Sequence, residues 1–187
     1  MLVVTEKATQ LIDTFGVDED GVAGAVTTHP SAGVTPFGFA FAKHDTLVVS
    51  EAAGGAANAS SASAYDVSED SFELISAAVP THQTAACWAV ATKNGRYAYT
   101  ANAGSGSIAA YHVSRDGALQ LINGQAGLTG AGSHPSDMAL SNNSHFLYVL
   151  ANVTQSIGAF EVQSDGSLIA VSGASGLPAS AVGLAAW

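Results

Sequence analysis

Apolar and polar residues alternate along the chain in short runs, separated by small and polar turn residues. Leu2-Val3-Val4-Thr5, Leu47-Val48-Val49-Ser50, Tyr97-Ala98-Tyr99-Thr100 and Leu147-Tyr148-Val149-Leu150 each read as a strand rich in β-branched or bulky apolar residues. A hairpin with recurring wording follows each of them, most plainly SIAAYHVSRDGAL from Ser107 and SIGAFEVQSDGSL from Ser156. Its aromatic and valine return as Phe15/Val17, Tyr65/Val67, Tyr111/Val113 and Phe160/Val162, with the aromatics 50, 46 and 49 residues apart. The turn after them is Asp20-Gly21, Asp70-Ser71, Asp116-Gly117 and Asp165-Gly166, and Asp-Gly supplies the positive φ of a tight hairpin. A further strand of small and apolar residues precedes three of the units, at Phe37–Ala42, Trp88–Thr92 and Met138–Ser141. A fourth such segment is Val182–Trp187.

Four strands in about 45 to 50 residues is the period of a propeller blade. The pattern therefore predicts an all-β fold, a β-propeller of four four-stranded antiparallel blades forming one domain over residues 1–187, with repeats at approximately 1–46, 47–96, 97–146 and 147–187. A β-sandwich also has evenly spaced short strands, but it does not require the same aromatic, valine and Asp-Gly in each quarter. A parallel β-helix would use shorter rungs without hairpins. Small residues suit the innermost strand, where Gly38, Ala89 and Ala139 leave room for close backbone approach. The first unit lacks an inner strand. Closure is expected either by pairing Val182–Ala186 with Leu2–Thr5 or by a homodimer that covers the open apolar flanks.

Fifteen acidic against five basic residues give a net charge of −10, which repels polyanions and argues against nucleic acid or an anionic membrane as partner. One cysteine, Cys87, excludes an intramolecular disulfide and a multi-thiolate zinc site. Met1 leads directly into Leu2-Val3-Val4 with no visible signal peptide, so the compartment stays open, cytoplasmic if Met1 is the authentic start.

The runs LVVTEKATQLIDTF, QTAACWAVATKNGRYAYTANAGSGSI and HPSDMALSNNSHFLYVLAN resemble the bacterial lactonase-like seven-bladed propeller family, whose named activity is 6-phosphogluconolactonase. The resemblance spans essentially the whole chain and corresponds to the last four of the seven blades, which implies an N-terminally truncated member. GLPASAVGLAAW is similar to the family's usual C-terminus. The resemblance implies an Arg-His pair on an inner strand and an Asn-Glu pair at the end of the next. At those places this chain has Cys87-Trp88 and Asn102-Ala103. Arg96 and Arg115 are the only arginines available to grip a sugar phosphate bidentately.

Candidate chemistry gathers on one rim. The connections between blades carry His29 in THPSAG, His82 in THQTAA and His134 in SHPSDM, and the ends of the second strands carry Glu6, Lys7, Glu51, Asn102 and Asn152. Histidine beside carboxylate suits general base catalysis near neutral pH, which makes His29, His82, His134 and Glu51 the catalytic candidates and Glu6, Lys7, Asn102 and Asn152 the ligand-binding ones. No metal-binding spacing such as HExxH accompanies them, and no cofactor is expected. Cys87 reads as a small buried inner-strand residue and Trp88 as filler between blades. The stretch EAAGGAANASSAS, Glu51 to Ser63, reads as a mobile insertion. Two functional readings follow. One is a lactonase-like hydrolase of weak or no activity, acting on a lactone or sugar ligand; the other is a non-catalytic propeller that binds a small molecule or protein at its channel rim.

Overall fold

A computed structural model of the chain describes residues 1–68 and 71–187; Glu69 and Asp70, and with them the expected Asp70-Ser71 turn, lie outside the described residues. Among the described residues, fifteen strands form four antiparallel sheets in sequence order. The first contains β1 (Leu2–Glu6), β2 (Leu11–Val17) and β3 (Ala23–Pro30). The second contains β4 (Pro36–Phe41), β5 (Thr46–Glu51), β6 (Ser61–Ser68) and β7 (Ser71–Pro80). The third is β8 (Ala86–Ala91), β9 (Tyr97–Asn102), β10 (Ser107–Val113) and β11 (Leu119–Leu128), and the fourth is β12 (Pro135–Leu140), β13 (Phe146–Ala151), β14 (Ser156–Val162) and β15 (Leu168–Ser175). Each sheet is a simple meander, and the hairpin glycines Gly21, Gly117 and Gly166 hold φ of 81°, 83° and 84°.

Side-chain alternation explains how the sheets stack. On β5, Leu47 and Val49 face the first sheet with Val3, Ile12, Tyr65 and Val67, while Val48 faces the third. On β9, Ala98 packs toward the second sheet, and Tyr97, Tyr99 and Ala101 pack toward the fourth against Met138, Leu147, Val149 and Phe160. A strand buried on both faces needs apolar residues at successive positions, which is why these runs are continuous rather than alternating. Hydrophobic stabilisation therefore resides in three seams between neighbouring sheets, at about 1.5–3 kcal/mol for each large side chain fully removed from water. The outward flanks differ: Leu2 and Val4 stay 46% and 42% exposed on the first sheet, and Ile169 and Val171 are exposed on the fourth.

The repeated aromatic of the third strand is the wedge of each seam. Tyr65 Oη accepts from the amide of Ala32, 2.8 Å away in the preceding connection. Tyr111 Oη donates to the carbonyl of Val79 at 3.3 Å. Phe160 fills the same place without a polar tip.

Two expectations about chain closure and mobility are corrected. The first sheet has three strands, and Val182–Trp187 forms no strand with β1. Instead Asp137 on β12 accepts a hydrogen bond from the amide of Leu184 at 2.8 Å, which keeps this segment beside the fourth sheet. The stretch from Glu51 to Ser63 is also ordered, because it contains a short 3₁₀ turn at Ala53–Gly55 and the buried start of β6.

Candidate functional site

Glu51 is the last residue of β5 and pairs with Ser61 at the start of β6. Residues 47, 49 and 51 share a face, so the carboxyl follows Leu47 and Val49 into the seam with the first sheet. It has no exposed surface. Ser61 Oγ donates to one carboxyl oxygen and Ser63 Oγ to the other, and the Ala78 amide donates in turn to Ser63 Oγ at 2.9 Å. Gly33, in the connection from β3 to β4, covers the remaining side; a Cβ there would fall 2.0 Å from Glu51 Oε2. Burial raises the Glu51 pKa, against the two serine hydroxyls and the Gly33 amide, which pull it down. Hydroxyls and an amide suit a carboxyl held without a counter-charge.

Asn102 repeats this position one sheet later and is likewise fully buried. Its Nδ2 donates to Ser107 Oγ at 3.1 Å, Ser107 Oγ donates to Gln83 Oε1 at 3.4 Å, and Gln125 Nε2 donates to the same oxygen at 3.2 Å. Asn102 Oδ1 is buried with no hydrogen-bond partner. In both sheets the cap on the seam joins the end of the second strand, the first serine of the third, and a residue of the preceding connection. Such caps satisfy polar groups where an apolar seam meets the rim. Sequence reading missed Ser61, Ser63, Gly33 and Gln83, although serines two apart and opposite a strand-end carboxylate are a visible signal.

The other candidates occupy separate places. In the fourth sheet Ala151, not Asn152, stands opposite the equivalent serine, Ser156. The spacing of 49 between Tyr111 and Phe160 already points from Asn102 to Ala151. Glu6 takes the corresponding place in the first sheet, opposite Leu11, and accepts from the hydroxyl of Thr9. Lys7 Nζ lies 5.2 Å from the centre of the Phe37 ring. Burial raises the pKa of the half-buried Cys87 thiol, and the Lys7 charge opposes it. Trp88 is 38% exposed and so does not fill a seam.

The three histidines are held in different ways. His29 is a strand residue, because β3 continues through Pro30; its ring stacks on Phe72 at 4.0 Å and its Nε2 lies 3.0 Å from Thr14 Oγ1. His82 and His134 are exposed on their connections at φ of 57° and 55°. Among the described residues no three His, Cys, Asp or Glu side chains are grouped to hold a metal ion.

Four-stranded meanders stacked flank to flank through aromatic wedges define a β-propeller. The family model described as lactonase, 7-bladed beta-propeller, matches residues 4–138, and the chain belongs to that family. No curated protein matches the sequence. Among solved structures, a functionally unknown protein of Desulfotomaculum acetoxidans aligns with a TM-score of 0.72 at 17% identity, over 94% of this chain and 54% of its own. A candidate 6-phosphogluconolactonase of Bacteroides uniformis aligns with a TM-score of 0.75 at 18% identity, over 94% and 55%. The periplasmic gluconolactonase of Pseudomonas aeruginosa aligns with a TM-score of 0.52 at 19% identity, over 90% and 65%. The chain thus spans about half the length of the first two.

Proposed function

We propose that this chain is a lactonase-family propeller segment whose own lactone hydrolysis is weak or absent. The observation that carries this reading is the seam position of Glu51, the only carboxylate among the catalytic candidates, which has no exposed surface and is occupied by Ser61 and Ser63. A general base must come within hydrogen-bond reach of the water it activates. The standing of Cys87-Trp88 where the family resemblance implies Arg-His supports the same reading.

A panel of γ- and δ-lactones followed by acid release tests it. A positioned general base contributes roughly 10²–10⁴-fold. The expected result is an enhancement over spontaneous hydrolysis below about 10²-fold, equal in the parent, Glu51→Gln, His82→Ala and His134→Ala. Rapid turnover that Glu51→Gln or a histidine variant abolishes while the fold survives overturns the proposal.

A further inference from the structure

The chain has only five Lys and Arg residues, and four of them converge at the end of the blades opposite the capped rim. Second strands start at Thr46, Tyr97 and Phe146 and end at Glu51, Asn102 and Ala151, so the two ends are roughly 16 Å apart. At the starting end, a cleft of about 570 Å³ between the third and fourth sheets is lined by Lys43, Lys93, Arg96 and His145. An adjoining cleft of about 270 Å³ shares Lys43 and Arg96 and adds Arg115, His44 and His112. Among the described residues no carboxylate lines either cleft.

Among the described residues, three acids neighbour the clefts without lining them. Asp116 accepts from the hydroxyl of Ser114 and Asp165 from the amide and hydroxyl of Ser167, while Asp45 lines a separate cleft with Met1 and Val17. The turns bearing the cations are interlocked. The Lys93 amide donates to Ser144 Oγ at 2.9 Å and Lys93 Nζ to Asn142 Oδ1 at 3.2 Å, fixing the third turn to the fourth. Gly95 abuts the Lys43 stem so closely that a Cβ would fall 2.7 Å from Lys43 Cβ. Arg96 rests over the Tyr97 ring at 5.4 Å, and Tyr97 Oη donates to the carbonyl of Ser164 at 2.6 Å, so the cleft floor is anchored as well. A guanidinium stacked on a ring keeps its N–H edge open for a phosphoryl or carboxylate oxyanion.

We propose that this face binds a small molecule bearing two phosphoryl groups, one in each cleft, with Lys43 and Arg96 at the shared wall and Lys93 and Arg115 at the two ends. Cations brought together in an acidic chain lower the energy of a compact anion, whereas the net charge of −10 disfavours an extended polyanion. The larger cleft is in the usual size range for small-molecule sites. This site is independent of the capped rim and of any lactone chemistry.

Calorimetric titration of the full chain with inorganic pyrophosphate and, separately, orthophosphate at low ionic strength tests the proposal. Pyrophosphate is expected to bind saturably and at least about tenfold tighter than orthophosphate, and Arg96→Gln to weaken it about tenfold or more, the value of one charge-assisted hydrogen bond. Arg115→Gln is expected to weaken pyrophosphate while leaving orthophosphate unchanged. Both positions are exposed, so the fold tolerates these changes, and circular dichroism checks that it does. No saturable heat, equal affinity for the two anions, or affinity indifferent to both substitutions overturns it.

Discussion

Tyr111→Ala is expected to lower the unfolding free energy by about 3–5 kcal/mol, the usual cost of deleting a fully buried aromatic. Tyr111 has no exposed surface, and its buried cluster holds Val48, Ala62, Ala64, Ala98, Ala109, Val113 and Leu119. Four of these are alanines, which have no rotamers with which to fill the space, so a cavity is left behind. For a chain of this size that is a fall in Tm of roughly 10 °C. Tyr111→Phe keeps the ring and loses only the 3.3 Å hydrogen bond to Val79, about 1 kcal/mol. Urea unfolding of the two variants checks both numbers. Equal, small losses would mean that the third sheet does not lean on the second through this ring.

Gly38→Ala is expected to cost about 1–3 kcal/mol or more through overpacking. A Cβ at this position would lie 2.6 Å from the carbonyl oxygen of Cys87, 2.8 Å from Trp88 Cα and 3.1 Å from the amide nitrogen of Ala89. All three are backbone atoms of the next inner strand and cannot swing aside. Nor can β4 retreat, because Gly38 donates to Ser50 Oγ at 3.1 Å and accepts from it at 3.0 Å. Gly16→Ala is the control: it sits in a strand with nothing within 4 Å of a built Cβ and is expected to be close to neutral. A Gly38→Ala protein as stable as the control would show that β4 and β8 do not approach this closely.

The blade repeat was legible because its signals are local. Asp-Gly after an aromatic and a valine marks a hairpin wherever it stands, and unbroken apolar runs such as Leu47-Val48-Val49 mark strands with a neighbour on each side. Close approach at Gly38 was legible for the same reason. The rim was not, because it depends on where strands stop. One or two further residues of strand carry Glu51 and Asn102 from a loop into a buried seam, and a strand that continues through Pro30 turns His29 inward onto Phe72. A polar residue at a strand end looks the same in sequence whether it meets water or two serines. The tail shows a non-local choice: Val182–Ala186 has the composition of an inner strand, yet Asp137 takes the Leu184 amide. The cationic face escaped notice because its members, Lys43, Lys93, Arg96 and Arg115, belong to different turns and meet only when the blades stack.

Glu51 decides between a structural cap and an available base, and its protonation is the most direct test. A folded-state pKa raised above the ordinary glutamate value of 4.5 means that the native state holds its proton more tightly than the unfolded chain. Its stabilising contribution is then full below that value and is lost as pH rises through the folded pKa. Asp116 and Asp165 have lowered values, so their contributions are lost only as pH falls through and below the ordinary aspartate value of 3.8, outside the window. Urea unfolding of the parent and of Glu51→Gln, in parallel from pH 4.5 to pH 8, isolates the group. Predicted is a parent that loses stability relative to Glu51→Gln as pH rises; a difference that is flat, or that grows in the parent's favour, would reveal a solvated carboxylate open to substrate and contradict the account.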